Sequence, residues 1–482
     1  MDDSAATEPD PPTPAPRFSR AARRATAWML LSALLGALAI PPTHIHLLAL
    51  VAWAPLLRAL RGAGPARGLL LGLGQGLLLF GATLIWLLEI FGPAAAALIM
   101  IMASFTALFG LFAGLLERHG PSGWLAAPAL AVLWTGIEYF RGEVFVLRFP
   151  WITPGTALAP GALTPWIGTY GISFLLVLGG AWATGWGRGG RRMHLTGGLL
   201  LAGLAASVVL RGPAPAPQTP LRVAAIQGEI LPFTEFLRLS RQVPKPVDAI
   251  VWPEYALSFD LRTSPKQLKV IDQLLDETGA RTFVVGSRTD HPDGTWSNTA
   301  IAVGPDGVLG VHHKNRPVHF FDDGEPGVES RAITTPIGRI AAPICFDNDY
   351  APVPRQAVAD GAELLLVPSM DAVSWTARQH AQHAELFRHR AAENGRWVVV
   401  AASSGVSQFV DPHGHRISAL TDFAPGVLVG EVELRDGLTP FTRFGWRLGP
   451  LLMLLAALQL LGLSLLGLRA ARAARPATPE VP

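Results

Sequence analysis

Ile340-Ala341-Ala342-Pro343-Ile344-Cys345-Phe346-Asp347 is a short apolar run that stops abruptly in polar residues, and it carries the single cysteine of the 482-residue chain. A run of this kind reads as a buried strand. A thiol at the end of a strand, with no second cysteine to pair with, is where a nucleophile is presented. Taken alone, such a cysteine is more often an inert core residue, so its meaning depends on what surrounds it. One cysteine also excludes an intramolecular disulfide.

Working outward, similar runs at 221–226, 249–251, 282–286, 300–303, 364–367 and 397–401 suit further buried strands. Helical spacing covers 265–278 and 377–394, and Pro305-Asp306-Gly307 and Pro412-His413-Gly414 mark turns. The stretch between Gln227 and Glu254 is short and holds Pro232, Pro244 and Pro246, which predicts a truncated first helix. A Pro-rich linker (Pro213, Pro215, Pro217, Pro220) opens this block. The expected fold is an α/β sandwich over 212–440.

The rest of the chain has another character. Half of all residues are apolar, 16% are charged, and Gly (50) and Pro (41) are abundant. Such a composition places much of the chain in lipid. Apolar spans are expected near 26–40, 45–60, 68–91, 94–116, 122–139, 164–186, 195–210 and 447–468. The resulting division is a disordered cytoplasmic tail (1–24), a seven-span bundle (25–211), the sandwich (212–440), a final span (441–468) and a second cytoplasmic tail (469–482). No cleavable leader is evident, and the first span reads as an uncleaved anchor.

Arginines set the orientation, because cytoplasmic loops retain positive charge. Arg17, Arg20, Arg23 and Arg24 precede span one, and Arg58, Arg61 and Arg67 follow span two. Arg118 follows span four, Arg188, Arg191 and Arg192 follow span six, and Arg469, Arg472 and Arg475 follow span eight. With both termini inside, the sandwich faces the outer side of the membrane. The net charge of +3 is small and the basic residues flank apolar stretches, so no nucleic-acid surface is expected.

Two more residues in the sandwich carry chemistry. Glu254 follows a strand and Trp252-Pro253, a partly apolar setting that raises a carboxylate's pKa and suits it to take a proton from a thiol. Lys314, in His312-His313-Lys314-Asn315, is placed to stabilise a thiolate and an oxyanion. Singly, each has an ordinary reading as a turn residue or a solvated loop residue. Together with Cys345 they make a base, a cationic stabiliser and a nucleophile.

Glu254, Lys314 and Cys345, in that order, resemble the Glu-Lys-Cys triad of the nitrilase (carbon-nitrogen hydrolase) superfamily. The membrane half resembles one branch of it, the apolipoprotein N-acyltransferases, in which seven spans precede and one follows a nitrilase-like domain. Local matches are Trp53-Ala54-Pro55-Leu56-Leu57, Gly81 to Trp86, Glu138-Tyr139-Phe140-Arg141-Gly142 with Phe149-Pro150-Trp151, Trp296-Ser297-Asn298-Thr299-Ala300, and His380 to Gly405 with Arg388, Arg390 and Glu393. The resemblance implies a polytopic helical bundle of about eight spans carrying an α-β-β-α sandwich. It implies an inner-membrane, monomeric enzyme whose cysteine takes an acyl group from a phospholipid and passes it to the α-amine of a lipoprotein's lipid-modified N-terminal cysteine. It implies no cofactor.

Several positions depart from that family's usual pattern. Pro317-Val318-His319-Phe320-Phe321-Asp322-Asp323-Gly324-Glu325 replaces a Leu-Val-Pro-Phe-Gly-Glu run after the lysine. The second carboxylate's place is open to Asp322, Asp323 or Glu325, with spacing favouring Asp322. Phe346 and Asp347 stand where Tyr and Glu are usual, and Ser403-Ser404-Gly405 replaces an Asn-containing segment. Asp322, Phe346 and Asp347 are therefore the expected supporting residues, joined by Glu138 and Arg141, which either pair with each other or meet a phospholipid headgroup. His312, His313 and His319 lack zinc-type spacing, and no metal is expected. Two other functions stay open: a membrane-tethered amidase or nitrilase-like hydrolase with the same triad, and a silent membrane binding protein that keeps the fold.

Overall fold

The computed structural model describes residues 20–187 and 190–473. The expected tail up to residue 19, with Arg17, and Arg188 and Arg475 lie outside the described residues, as does the rest of 474–482.

Among the described residues the sandwich contains twelve strands: β1 (Leu221–Gln227), β2 (Ala249–Val251), β3 (Thr282–Asp290), β4 (Trp296–Gly304), β5 (Gly307–His313), β6 (Ile333–Thr335), β7 (Gly338–Ala341), β8 (Leu364–Ser369), β9 (Val398–Ala402), β10 (Ser407–Val410), β11 (Arg416–Leu420) and β12 (Gly426–Val432). They form two six-stranded sheets, in the orders β12-β1-β2-β3-β4-β5 and β11-β10-β9-β8-β7-β6. Each sheet has three parallel strands, β1-β2-β3 and β7-β8-β9. These central strands are buried on both faces, which is why their sequences read as unbroken apolar runs.

Alternation builds the layers, because successive side chains of a strand point to opposite faces. Val223, Ala225, Val251 and Val284 meet Ile340, Leu364, Leu366 and Val399 of the facing sheet. Their neighbours Ala224, Ile226, Ile250 and Phe283 pack on the helices Phe233–Arg241 and Pro265–Thr278. Ala341, Leu365, Val367 and Val400 pack on Ala357, Val358, Phe387 and Ala391 of Pro352–Ala359 and Thr376–Asn394. The result is an α-β-β-α sandwich. Its first helix, Phe233–Arg241, has only 9 residues.

The helical half is less regular than its composition suggests. Five stretches are long and apolar enough to cross a membrane among the described residues: Pro65–Thr83, Leu87–His119, Thr164–Ala183, Arg191–Val209 and Gly445–Ala473. The expected span at 26–40 falls in Arg20–Ala39, and that at 45–60 is a shorter apolar segment, His46–Leu60, interrupted at Trp53. The span expected at 122–139 is a 14-residue helix, Ala126–Tyr139, ending in a π-turn over Phe140–Val144. The span expected at 68–91 breaks at Thr83, and 87–91 belong to the next stretch.

Glycine lets two helices of the bundle meet closely. A Cβ at Gly68 would lie 2.2 Å from the carbonyl oxygen of Gly110, and one at Gly72 would lie 2.1 Å from that of Thr106. Small residues four apart let Pro65–Thr83 and Leu87–His119 touch backbone to backbone, the packing that substitutes for a hydrophobic drive in lipid.

The helix Thr376–Asn394 joins the two halves. Trp86 Nε1 donates to Gln382 Oε1 (3.0 Å), and Gln382 Nε2 donates to the carbonyls of Pro41 (3.1 Å) and Thr83 (2.9 Å). Thr169 N–H donates to Glu393 Oε1 (2.9 Å). Polar side chains on this helix therefore satisfy backbone ends and indoles of the bundle, rather than facing water.

Candidate active site

Cys345 sits where β7 has ended. The strand stops at Ala341, and after Ala342-Pro343-Ile344 the chain turns sharply at the cysteine, whose φ is +45°. Left-handed backbone is costly for a residue with a Cβ and is held only where surroundings over-determine it. Asp347 is the main holder. Its Oδ1 accepts from the backbone N–H of Asn315 (2.9 Å) and Arg316 (2.8 Å), while Oδ2 accepts from Ile344 N–H (3.0 Å) and faces His312 Nε2 (2.8 Å). One carboxylate thus ties the cysteine turn to the loop that carries Lys314. The thiol donates to the carbonyl of Met370 (3.3 Å).

Glu254 and Lys314 leave the other sheet at one edge. β2 and β3 are parallel, β4 reverses and β5 reverses again, so the residues after β2 and β5 emerge on the same side. Lys314 Nζ donates to Glu254 Oε1 (2.8 Å) and pairs with Asp323 Oδ2 (2.7 Å). Asn298 Nδ2 donates to Glu254 Oε1 and to Asp323 Oδ1, both at 2.7 Å. Val318 N–H donates to Asp323 Oδ2 (2.7 Å), and the Tyr255 hydroxyl donates to Asp323 Oδ1. Glu254 Oε2 is buried and, among the described residues, has no hydrogen-bond partner.

Burial dominates the electrostatics. It pushes the Glu254 carboxyl up, with the Lys314 ammonium opposing and the Asp323 charge reinforcing. Burial also works to push Asp323 up, but Lys314 prevails and holds it below the usual carboxylate range. Lys314 stays well above its ordinary value because Glu254 and Asp323 outweigh its desolvation. Burial and the Glu254 charge push the Cys345 thiol well up. The site therefore sets a thiol whose pKa is held up beside a Lys314–Asp323 ion pair and a Glu254 carboxyl with one unpartnered oxygen among the described residues.

Cys345 opens into a cavity of about 110 Å³ lined almost wholly by apolar side chains from both halves of the chain. Trp86, Phe91 and Met102 come from the bundle, and Phe320, Phe346 and Trp375 from the sandwich. Phe91 meets Phe320 (5.7 Å between ring centroids) and Phe321 (6.0 Å), and Phe321 meets Trp375 (5.5 Å). Phe346 also packs edge-on against Tyr350.

A second charged cluster lies on the bundle side. His383 Nδ1 faces Asp371 Oδ1 (2.8 Å), and its Nε2 faces Asp349 Oδ1 (3.2 Å). Trp151 Nε1 donates to Asp349 Oδ2 (2.6 Å), and Gln379 Nε2 donates to Asp371 Oδ1 (2.8 Å). Desolvation works against the His383 charge, but Asp371 and Asp349 prevail and raise its pKa to about 10. Ser404 Oγ, in the segment that departs from the family pattern, meets Glu229 Oε2 and the carbonyl of Asp371.

Several expectations need correction. Asp322 is exposed, and Asp323, 4% exposed, takes the place beside Lys314. Between Phe320 and Gly324, both with positive φ, the loop leaves extended geometry, so a count of residues misplaces the inward side chain by one. Glu138 and Arg141 form no ion pair with each other among the described residues. Glu138 accepts from Trp134 Nε1 (2.8 Å) and Ser173 Oγ (2.7 Å), while Arg141 donates to the carbonyl of Trp151 (3.0 Å) beneath Phe80. They line a separate cavity of about 30 Å³. Asn298, Asp371, Gln379 and His383 were not singled out by the sequence for the site; Asn298 and His383 had a signal, since they lie in the Trp296–Ala300 and His380–Gly405 matches.

The histidines at the end of β5 and in the loop after it have separate partners. His312 serves Asp347, His313 Nδ1 lies 2.9 Å from Thr299 Oγ1, and His319 Nε2 lies 3.2 Å from the carbonyl of Arg148. Among the described residues no group of three or more His, Cys, Asp or Glu side chains is arranged to hold a metal ion.

Residues 32–182 match the family model for the apolipoprotein N-acyltransferase N-terminal domain, and residues 222–437 match that for carbon-nitrogen hydrolase. An apolipoprotein N-acyltransferase of Geobacter metallireducens is 29% identical, over 89% of this chain and 93% of its own. One of Azotobacter vinelandii is 31% identical, over 86% of this chain and 90% of its own. A carbon-nitrogen hydrolase structure from Helicobacter pylori G27 aligns with 48% of this chain and 94% of its own, at 17% identity and a TM-score of 0.39. With both halves matched in tandem and a relative 31% identical along most of its length, the chain belongs to the apolipoprotein N-acyltransferase family.

Proposed function

We propose that this enzyme moves an acyl chain from a phospholipid to the N-terminal amine of a lipid-modified lipoprotein cysteine, by way of a thioester on Cys345. The observation that carries the reading is the state of Glu254: one oxygen is pinned by Lys314 and Asn298, and the other is buried, unpartnered and electrostatically coupled to the thiol. Glu254 takes the thiol proton, and the thiolate attacks the ester carbonyl. Lys314, charge-balanced by Asp323, stabilises the oxyanion, and Glu254 returns the proton to the departing lysophospholipid oxygen. In the second half the amine attacks the thioester and the thiol is restored. Asp347 holds the turn on which all this depends.

The apolar cavity supports a lipid donor. Acyl chains cost about 0.8 kcal/mol per CH₂ to expose to water, and the cavity walls keep water from the thioester, which favours transfer over hydrolysis. The arginine pattern supports a division at residues 24, 211, 440 and 468, with both tails cytoplasmic and the sandwich periplasmic. One chain supplies every group of the site, in keeping with a monomer.

The test is mass spectrometry of lipoprotein N-termini in cells with and without the protein, alongside the acylated Cys345 peptide trapped in vitro. The expected result is loss of the N-acyl group without the protein and a lipid-sized adduct on the cysteine. Unchanged termini would sink the transferase, and turnover to free fatty acid alone would assign a hydrolase. No adduct on the wild-type cysteine would leave a silent binder.

A further inference from the structure

The triad accounts for the donor half-reaction and leaves unexplained how the second substrate is oriented. Among the polar side chains lining the cavity beside Cys345, most have their partners. The thiol donates to the carbonyl of Met370, His319 Nε2 faces the carbonyl of Arg148, and the Asp371 carboxylate receives Gln379 and His383. Gln379 is the exception on the acceptor side. It is 3% exposed, it lines the cavity, and among the described residues its Oε1 has no hydrogen-bond partner. A buried acceptor left empty costs free energy, so one in a cavity wall points to a donor that arrives with a ligand.

The amide is oriented by its neighbour. Asp371 accepts from Nε2 at 2.8 Å, which a carboxylate can do only with the NH₂ end, so the oxygen is turned away from Asp371. Asp371 is itself fixed by His383, which Asp349 braces from the other side and Trp151 braces through Asp349. The charge of Asp371 on the NH₂ group polarises the amide and makes Oε1 a better acceptor.

We propose that Gln379 Oε1 is the binding group for the primary amine of the acceptor in the second half-reaction. An amide oxygen suits this task better than a carboxylate. The α-amine, whose ordinary pKa is about 8, attacks only when neutral, and an amide accepts one of its N–H bonds without holding it as ammonium. The nitrogen lone pair then forms the N–C bond, and the C–S bond breaks. A remaining N–H proton passes through Glu254 to the sulfur, restoring the thiol. The inference rests on the acyl-transfer reading above.

The experiment separates the two half-reactions in the full-length chain. The donor is a diacyl phospholipid with a fluorescent acyl chain, and the acceptor is a synthetic peptide that begins with diacylglyceryl-cysteine. Wild type and Gln379→Met, a variant of similar volume without the acceptor, are compared for the rate of thioester formation and the rate of its discharge to the peptide. The expected result is thioester formation within about twofold of wild type and discharge about tenfold slower, the scale of one lost hydrogen bond in the transition state. Equal discharge rates overturn the proposal and leave the acyltransferase standing. A matching loss in both halves, or a loss in thioester formation alone, also overturns it, because Gln379 would then serve the site generally or the departing lysophospholipid. Failure of the wild type itself to form a thioester would instead overturn the function on which the inference rests.

Discussion

Two buried clusters flank Cys345, and each sets one cation between two carboxylates: Lys314 between Glu254 and Asp323, and His383 between Asp349 and Asp371. Among the described residues both leave a carboxylate oxygen without a hydrogen bond, Glu254 Oε2 in one and Asp349 Oδ1 in the other, and they differ in what else they do. The lysine cluster leaves Glu254 Oε2 unpartnered and pushes that carboxyl's pKa up, so it holds a ready proton acceptor. The histidine cluster uses its charge to raise the cation's own pKa, and it ties Trp151 of the bundle to the sandwich. The same charge pattern thus suits a base beside the thiol in one cluster and a brace between sandwich and bundle in the other.

Substitutions break or sharpen this contrast. Glu254→Gln keeps the size and removes the base, and thioester formation is expected to fall by about 10²–10⁴. Trapping and weighing the Cys345 peptide measures it, and normal accumulation would remove Glu254 from the mechanism. Lys314→Met deletes an oxyanion partner and strands two buried carboxylates. The rate should drop by about 10²–10³, with a stability loss of about 3–5 kcal/mol readable from thermal unfolding in detergent. A variant that stays as stable as wild type would show that the cluster is not held by its charge.

Asp323→Asn has a subtler signature. The Asp323 charge helps raise the Glu254 pKa, and the base must be ionised to work, so the acid limb of thioester formation should move to lower pH. A limb that stays in place would detach Asp323 from the tuning of Glu254.

His383→Gln should change thioester formation least, within about threefold, while altering the pH dependence of stability. Its folded pKa of about 10 lies above the ordinary 6.5. The stabilisation is therefore fully present below pH about 6.5 and is lost as pH rises toward 10. Melting temperatures of wild type should fall across that window, and those of the variant should fall less. If His383→Gln slows thioester formation as much as Glu254→Gln does, the division between base and brace collapses.

What the sequence made legible follows from local physics. Glu254 and Cys345 each come directly after an apolar strand run, and Lys314 follows β5, so their loops are fixed by nearby signals. Asp323 was misplaced by one residue because the loop from Phe320 to Gly324 leaves extended geometry. Gln379 gave no signal, and His383 none beyond its place in the His380–Gly405 match, because Thr376–Asn394 is packed between sandwich and bundle. Spacing marks such a helix, but where most of its polar side chains are buried a polar residue no longer identifies the solvent side, so the ones facing the cysteine cannot be picked out. The break at Trp53 and the π-turn at Phe140–Val144 were likewise hidden, since hydropathy averages over a window longer than the irregularity.

The walls around Cys345 have one more consequence. Trp86, Phe91, Met102 and Trp151 belong to the half that contributes none of the Glu-Lys-Cys groups. On the proposed reaction, these residues help to decide whether the acyl unit reaches a peptide or leaks to solvent, though they take no part in bond making. Excised from its helices, the sandwich would keep its reagents and lose its selectivity, becoming a wasteful esterase.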